Sequence, residues 1–281
     1  MIRRTVLSPD GTVPRSLDGQ ERRVTLLVDS RDRDYAKYPS ASQYVVNLPQ
    51  TLNNVKSAVL ISAEMPSTYY VFTAAKGTTS LRVTVNVTTA TVTIPDGNYT
   101  TTTMAAALKT ALEAAFAGTT FTITFDPATY RCTIAISPSN TLTVDCTSAT
   151  KNTDWGLGYY LGFARGVATT GTATITGSLA SNMNPELYYL IDITELNAVD
   201  ETAVGGRRGA FAKVPLQSGS FQYSFYNTIL ACFMCNEQKP PKARLDKLSV
   251  SIRFRDGTLV DFNNAEHSMT IELVCTQTLS H

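Results

Sequence analysis

Strict alternation of apolar and polar residues is the feature of this sequence that most constrains its fold. The clearest case is Leu248, Val250, Ile252 and Phe254, which alternate with serine and arginine. Successive side chains of a β-strand point to opposite faces of a sheet, so this pattern predicts a strand with one buried face. The pattern recurs at residues 187–193, 221–225 and 269–275, where Phe221, Tyr223 and Phe225 are expected on the buried face. The sequence therefore predicts a mainly β protein built as a two-sheet sandwich.

Turn and breaker residues mark where predicted strands end. Asp256-Gly257 follows one strand. A type I′ hairpin turn needs positive φ at both central residues, so a tight turn of this type is expected there. Nearer the N-terminus, residues 44–48 form a short predicted strand closed by Pro49, and residues 55–65 form a long one. This region is therefore predicted as strand, charged loop, strand, turn, strand.

The middle of the chain, residues 71–182, differs in composition from its flanks. It holds few charges, and about one residue in four is threonine, which favours strands on exposed faces. One helix is expected, because threonines at 100–103 can cap its start and Gly118 can end it. Its apolar positions, spaced by four, are Met104, Leu108, Leu112 and Phe116. We therefore predict a small α+β domain inserted between two strands of the sandwich.

The five cysteines do not form the pattern of a secreted disulfide framework, because their number is odd and their spacing is irregular. Cys132 and Cys146 lie near the ends of a predicted hairpin across residues 137–140, and a reducing cytosol would oppose a disulfide between them. Cys232 and Cys235 form a CxxC, but a zinc site needs four ligands and the chain has two histidines. Apolar packing is the preferred interpretation of these thiols.

Residues 29–34 form a dense cluster of alternating charge after the first predicted strand. Asp29, Asp32 and Asp34 offer the oxygen ligands that a divalent cation prefers. Arginines alternate with them, however, and a cation site seldom interleaves arginines. A local salt-bridge network or a contact between subunits is therefore the preferred interpretation of this loop.

A series of short motifs follows one another along most of the chain. The first are Asp29-Ser30-Arg31-Asp32-Arg33-Asp34, Leu48-Pro49, Asn54-Val55 and Ser62-Ala63-Glu64-Met65-Pro66. The later ones are Ile94-Pro95-Asp96-Gly97-Asn98-Tyr99-Thr100, Leu157-Gly158-Tyr159-Tyr160-Leu161-Gly162-Phe163, Asp256-Gly257 and Glu266-His267-Ser268. In this order they resemble the penton and minor capsid proteins of the nucleocytoplasmic large DNA viruses.

This resemblance implies a single jelly-roll β-sandwich of residues 24–70 and 183–281, with the inserted α+β domain at residues 71–182 and an extended N-terminal arm at residues 1–23. It implies a structural capsid protein of the virion, made in the host cytoplasm, with five copies forming the penton at each fivefold vertex. The implied partners are further copies of the chain, major capsid protein trimers and other minor capsid proteins. The alternative is a cement protein that stabilises those trimers from inside.

Three charged segments and the N-terminal arm are candidate contacts. Closing a ring requires heterologous contacts, in which one face of a copy meets a different face of the next. The candidate subunit-interface residues are Arg31, Asp32, Arg33, Asp34, Arg207, Arg208, Lys239, Lys242 and Arg244. The arm offers Arg3, Arg4 and Arg15 to the carboxylates of neighbouring subunits, and the alternative is a solvated tail.

Charge and motif content argue against several other function classes. The net charge of +1 gives no field that would gather phosphates, so nucleic acid is not an expected partner. No apolar run approaches the roughly 20 residues of a membrane span, so membrane insertion is not expected. His267 has Glu266 and Ser268 beside it, but neighbours on a strand point to opposite faces, so they cannot form a triad. We expect no catalysis, metal or cofactor.

A sugar-binding module is the remaining alternative, because jelly rolls also serve as lectin domains. Trp155, Tyr159 and Tyr160 form a candidate surface patch that would stack on a sugar ring. The preferred interpretation is that the aromatic residues of this segment pack the core of the inserted domain.

Overall fold

The computed structural model describes residues 21–147, 156–184, 186–197, 199–200, 209–216, 221–227 and 235–276. The helices are α1 (Thr101–Ala115) and α2 (Gly156–Tyr160). The strands are β1 (Glu21–Asp29), β2 (Gln43–Pro66), β3 (Ser80–Val85), β4 (Thr88–Thr93), β5 (Thr122–Phe125), β6 (Cys132–Ala135), β7 (Thr141–Asp145), β8 (Ala168–Thr172), β9 (Thr174–Thr176), β10 (Tyr188–Ile193), β11 (Val199–Asp200), β12 (Gly209–Ala210), β13 (Ala212–Pro215), β14 (Tyr223–Asn227), β15 (Cys235–Arg253) and β16 (Ser268–Thr276). The prediction of a mainly β protein is confirmed.

The chain divides into two compact units. Unit 1 comprises Met1–Thr68 and Tyr188–His281, and unit 2 comprises Tyr69–Leu187. Unit 2 is therefore one continuous stretch of sequence that interrupts unit 1. Within the described part of the chain, neither helix is long and apolar enough to cross a membrane.

Unit 1 is built mainly on a seven-stranded sheet in which β2 is the central strand, and β11 and β12 form a separate two-stranded sheet. The strand order is β1-β16-β2-β15-β10-β13, and β14 also pairs with β2. Along its 24 residues, β2 pairs with β15 from Gln43 to Val59, with β16 from Val55 to Glu64, and with β14 from Ser62 to Pro66. All these neighbours are antiparallel to β2, so one long strand carries the hydrogen-bond ladders of three others.

The apolar residues of β15 and β16 cover the core of unit 1, as their alternation predicts. The buried side chains on these strands include Leu248, Val250, Ile252, Met269, Ile271, Leu273 and Cys275. On β10, Tyr189, Ile191 and Ile193 are buried in the same way, whereas Leu187 lies before the strand and is exposed. Three of the four predicted strands therefore have the expected inner face.

The predicted inner face of β14 is wrong. Ser224 and Tyr226 are buried, whereas Phe221, Tyr223 and Phe225 are exposed. The register explains the reversal, because Ser224 and Tyr226 lie opposite Met65 and Ala63, which are buried residues of β2. Periodicity alone cannot decide which face is buried when aromatic residues occur on both.

The two strands expected at residues 44–48 and 55–65 are one continuous strand. Pro49 does not end the first of them, because it lies where the pairing between β2 and β15 is irregular. Asn47 lies opposite Lys247 and Leu52 opposite Leu245, so β2 has extra residues between these two pairs. At such an irregularity a proline need not supply a ladder hydrogen bond.

The turn after Phe254 differs from the type I′ prediction. Gly257 has a φ of 83°, whereas Asp256 is not among the residues with positive φ. The Phe254 amide donates to the Thr258 carbonyl, and the Asp256 carboxylate accepts from the Thr258 amide and hydroxyl. The result is a three-residue loop with glycine in the left-handed position rather than a two-residue one. It leads to an isolated bridge between Arg253 and Leu259, and β16 pairs with β2 instead.

Unit 2 has a four-stranded sheet, β4-β3-β7-β8, and a three-stranded sheet, β5-β6-β9. The predicted hairpin between β6 and β7 is wrong, because the chain crosses from one sheet to the other between them. The Ile136 amide donates to the Ala173 carbonyl, and Asn86 accepts from the Thr141 amide. Cys132 and Cys146 are free, buried thiols, and burial raises the pKa of Cys132 to about 12 and that of Cys146 to about 11.

The predicted helix is α1, and its ends are those expected from the sequence. Thr100 is the N-cap, and its side chain and that of Thr103 form a reciprocal capping box. Met104, Leu108 and Leu112 are fully buried, and Gly118 follows with a φ of 84°. The short α2 is a second helix that the sequence did not predict.

The many threonines of unit 2 pair across its strands. Hydroxyl groups of Thr84 and Thr89 lie 2.9 Å apart, and those of Thr143 and Thr170 lie 2.8 Å apart. A third pair joins β6 to β9. The high threonine content of unit 2 is therefore explained by exposed hydroxyl pairs between neighbouring strands, which stabilise the sheets.

We predict that Gly158→Ala destabilises unit 2 by about 1–3 kcal/mol, because the added methyl group overpacks its core. A Cβ at Gly158 would clash with the Cys146 sulfur and would lie 3.1 Å from Leu81. Urea denaturation followed by circular dichroism measures the loss. Gly97→Ala is the matched control, since its Cβ would meet Tyr99 at an ordinary 3.8 Å. Equal stability of the two variants would contradict the prediction.

Candidate functional site

The charged loop between β1 and β2 is tied to the segment that leads into β16. The Ser30 amide donates to the His267 carbonyl at 2.9 Å, and the His267 amide donates to the Ser30 hydroxyl oxygen at 2.9 Å. The Ser30 hydroxyl in turn donates to Glu266. This contact joins residues more than 230 positions apart and fixes where the loop begins.

Arg33 is the centre of the loop and is buried, with 4% of its side chain exposed. Its guanidinium donates to the carbonyls of Ser30 at 2.7 Å and Tyr38 at 3.0 Å, and it forms an ion pair with Glu266. The ring of Tyr35 lies 4.1 Å from the guanidinium carbon. Burial of a charge is unfavourable unless its donors find partners, and here the planar guanidinium bonds both the loop backbone and a carboxylate.

The hydrogen bonds to Glu266 also lower its pKa. Partial burial of this carboxyl acts to raise the pKa, but hydrogen bonds from Arg33 and Ser30 outweigh it and the pKa lies below its usual value. Glu266 is therefore an anion at neutral pH and is neutralised by Arg33. Arg33 is committed to its own chain, so it is not available to a second copy.

The other charged residues of the loop are exposed or bound locally. Arg31 is 70% exposed and pairs with Asp29, which lowers the pKa of that carboxyl. The Asp34 side chain accepts from the amides of Ala36 and Lys37. Among the described residues, no group of three or more acidic, histidine or cysteine side chains suits a metal ion. The exposed Arg31, Asp32 and Asp34 remain a candidate contact surface.

His267 belongs to the core beneath this loop. Its side chain is 3% exposed and lies between the rings of Tyr44 and Phe262, each with a ring centroid 5.6 Å away. Its Nε2 donates to the Ala41 carbonyl at 2.9 Å, which leaves Nδ1 as an acceptor without a hydrogen-bond partner in the described structure. Burial lowers the pKa of His267 to about 4, so it is neutral at pH 7.

The residues beside His267 have different partners, as expected for neighbours on an extended segment. Ser268 donates from its hydroxyl to Glu64 at 2.6 Å, and Glu266 bonds Arg33 and Ser30. His267 bonds the Ala41 carbonyl. The three side chains are therefore not arranged as a nucleophile, a base and an orienting acid.

A groove of about 240 Å³ lies beside the loop, and we call it the Glu64 groove. The residues that line it are Asp29, Arg31, Glu64, Tyr223, Glu266, His267 and Ser268. Sequence analysis missed Glu64 and Tyr223 as members of a site. The sequence did contain one signal for Glu64. It is a charged residue within the mainly apolar run 55–65, and a charged side chain in a buried strand usually has an ion-pair partner or a functional role.

The basic residues of β15 lie on its irregular half. Lys239 is exposed and pairs with Glu237, and Arg244 lies 3.5 Å from Asp246. Lys242 donates to the Glu195 carbonyl at 3.0 Å. The pairing register of β15 with β2 shifts between Glu237 and Lys242. Such an irregularity interrupts the alternation of side chains between the two faces of the sheet.

The remaining predicted residues are either half-buried in unit 2 or outside the described residues. Tyr159 and Tyr160 lie on α2, where the Tyr160 ring meets the ring of Phe72 edge-on at 5.5 Å, and Arg165 lies over the Tyr159 ring. Their partial packing leaves the proposed sugar patch a prediction. Six candidates lie outside the described residues: Arg3, Arg4, Arg15, Trp155, Arg207 and Arg208. Glu21, Arg22 and Arg23, which were predicted as the end of the arm, belong to β1, and the rest of the predicted arm lies outside the described residues.

We predict that Arg33→Ala lowers the free energy of unfolding by about 3 kcal/mol, because it removes a buried cation and leaves its partners without donors. Arg31→Ala is the matched control two residues away. Its ion pair with Asp29 is exposed to solvent, so its loss should change stability little. Urea denaturation of both variants gives the comparison, and an equal loss in the two would show that the buried guanidinium does not hold the loop.

We predict that His267 makes folding less stable as pH falls. The pKa of about 4 in the folded chain lies below the ordinary value of 6.5, so the unfolded state binds more protons between these values. The contribution of His267 to the free energy of unfolding is fully present above pH 6.5, and it falls by about 3 kcal/mol as pH approaches 4. Urea denaturation at a series of pH values measures the slope.

His267→Gln is the control for this pH dependence, because glutamine keeps an N–H donor for the Ala41 carbonyl but does not titrate. Its slope between pH 7 and 5 should be flatter than that of the natural chain. Asp29 and Glu266 also have lowered pKa values. The stabilisation that their ionised carboxylates contribute is lost only below about pH 4.5, outside the range from pH 7 to 5. Parallel curves for the two proteins would contradict the prediction.

Comparison with known proteins gives relatives among viral capsid proteins. The chain is 33% identical over 94 residues to penton capsid protein P1 of Paramecium bursaria Chlorella virus 1, a match to 32% of this chain and 55% of that protein. The chain thus spans about half the length of this curated relative.

The fold is similar to that of the mavirus penton protein, with a TM-score of 0.52 at 10% identity over 92% of this chain and 100% of that one. A chain of the Sputnik virophage gives a TM-score of 0.46 at 10% identity, over 93% and 99%. The likeness to the mavirus penton protein confirms the predicted jelly-roll fold. A family model matches residues 18–229, more than half of the chain, so this protein belongs to the family of unknown function DUF5901.

Proposed function

We propose that this protein is a structural capsid protein and that five copies form the penton at the fivefold vertices of an icosahedral large DNA virus. The observation that carries the proposal is the sequence identity with a penton capsid protein of a chlorella virus. The jelly-roll fold supports it, since this fold builds many viral shells. The site described above supports it too, because it consists of loop-fixing contacts and charged surfaces rather than a catalytic arrangement.

The proposed role is assembly, and its proposed place is the virion, after synthesis in the host cytoplasm. The partners are other copies of the chain, trimers of the major capsid protein and other minor capsid proteins. A ring of identical copies needs two different faces that complement each other. The exposed Arg31, Asp32 and Asp34 on one segment, and Lys239 and Arg244 on another, support such an arrangement.

Some of the residues that we propose as contacts lie outside the described residues. We propose that Arg207 and Arg208, in the glycine-rich segment 205–209, contribute to the same interface, and that Arg3, Arg4 and Arg15 of the N-terminal arm bind carboxylates of neighbouring subunits. Arginine suits both tasks because its planar fork bonds a carboxylate through two nitrogens. The proposed role needs no catalytic residue and no cofactor.

We predict that native mass spectrometry of the purified full-length chain gives a particle of five times 30.5 kDa. The fraction of this particle should rise with protein concentration, because it forms by association. A monomer at every concentration would contradict a self-assembling penton and would favour a cement protein that binds beside the major capsid trimers.

A further inference from the structure

The outer face of the sheet in unit 1 has a row of residues that runs across four strands. Phe225 of β14 lies opposite Glu64 of β2, Glu64 lies opposite Ser268 of β16, and Ser268 lies opposite Asp29 of β1. In an antiparallel sheet, directly opposed residues share a face. The Glu64 groove is therefore part of a continuous surface, while the alternate residues of the same strands cover the core.

This outer face exposes more apolar surface than a solvated sheet requires. Phe225 is 69% exposed, and Tyr223 beside the groove is 44% exposed. Leu27 is 81% exposed and belongs to the same face, two residues from Asp29. Aromatic residues rimmed by polar groups are typical of surfaces that another protein covers.

The groove holds one carboxylate that lacks a cation. Arg31 compensates Asp29, and Arg33 compensates Glu266. Glu64 is half-buried and accepts a hydrogen bond from the Ser268 hydroxyl, and no lysine or arginine of the described residues lies within 4 Å of it. A half-buried anion with aromatic rings on one side is suited to a lysine or arginine from a partner.

The same chain has a complementary surface on β15. The segment 239–247 carries Lys239, Lys242, Arg244 and Lys247. Lys239 and Arg244 have exposed carboxylate neighbours in Glu237 and Asp246, and Lys247 is exposed. Lys242 lies opposite Val55 of β2, nine residues before Glu64, which corresponds to about 30 Å of extended strand. The basic segment and the groove are thus separate surfaces of one copy, of opposite charge, in a protein whose net charge is +1.

We infer that the Glu64 groove of one copy receives a lysine or arginine from segment 239–247 of the next copy. This inference rests on the proposed self-assembly and specifies its contact. The contact is heterologous, so each copy offers its groove to one neighbour and its basic segment to the other, as a closed ring requires. Phe225, Tyr223 and Leu27 are the apolar surface that the neighbour covers around the ion pair.

The test is a charge reversal with a compensating reversal in the same chain. Glu64→Lys places a cation opposite the neighbour's cations, and the concentration at which half the chains are pentameric should rise by about tenfold or more. Glu64→Gln, which keeps a side chain of the same size, should weaken assembly in the same direction but less. Adding Lys239→Glu and Lys247→Glu to Glu64→Lys should restore the pentamer. Native mass spectrometry measures each step, and circular dichroism confirms that every variant is folded.

Glu272→Lys is the control for net charge, because Glu272 lies on β16 of the same sheet. Glu272 already has a cation partner in its own chain, Arg23, so the inference does not require a neighbour's cation there. Its smaller effect on assembly would support the groove as the specific contact. Three results would overturn the inference: an unchanged pentamer for Glu64→Lys, an equal effect of Glu272→Lys, or failure of the compensating changes to restore assembly.

Two further outcomes separate this inference from the proposed function. If Glu64→Lys is restored by reversing Arg3, Arg4 and Arg15 instead, the occupant is the N-terminal arm and the inference is overturned while the penton role stands. If the natural chain itself stays monomeric, the proposed function fails, and with it a second copy as the occupant.

Discussion

The continuous pairing of β2 is the constraint on which unit 1 depends. Its 24 residues supply ladder hydrogen bonds to β15, β16 and β14 along overlapping stretches. Since directly opposed residues of antiparallel strands share a face, these registers decide both what is buried and what is exposed. A shift of one residue at β14 would bury Phe225 and expose Tyr226, and the Glu64 groove would lose its aromatic wall.

Arg33 adds a second constraint at the end of this sheet. The loop after β1 is mostly exposed, but Ser30 and Arg33 within it are buried, and buried backbone carbonyls need donors. The guanidinium supplies donors to Ser30 and Tyr38 and uses Glu266 as its counter-charge. Arg33, one of the candidate interface residues in the sequence, therefore bonds within its own chain. By fixing the loop, it holds the exposed Arg31, Asp32 and Asp34 in place.

Local patterns predicted those parts of the fold that depend on local physics. The inner faces of β15 and β16 follow from alternation, and α1 follows from apolar spacing with a threonine cap, because burial and capping are encoded within a few residues. The residues of the charged loop were identified, but their partners were not. The Arg33–Glu266 pair joins positions 233 apart, and periodicity carries no information about such a separation.

The errors share one physical origin, which is long-range pairing. Pro49 was expected to end a strand, but β2 continues through it because the pairing with β15 is irregular there. The sequences of β6 and β7 predict a hairpin, but the two strands pair with partners in different sheets. The aromatic residues of β14 show the same point, since their exposure is decided by Met65 and Ala63 on β2. Tertiary contacts override local preference where apolar residues occur on both faces of a strand.

Charge separation rather than net charge connects this fold with assembly. A chain of net charge +1 has no long-range field towards phosphates, yet it can place a half-buried anion and a cationic segment on surfaces about 30 Å apart along one strand. Opposite charges at that separation cannot neutralise each other within a copy, because screening at physiological salt limits attraction to about 8 Å. They can do so between copies, where contact excludes water and strengthens the pair.

The apolar residues around Glu64 matter for the same reason: covering Phe225 and Tyr223 removes the solvent that would otherwise weaken the ion pair. Sheet register and surface charge are therefore one design feature of this face, since the register that exposes the aromatic residues also sets the carboxylate among them.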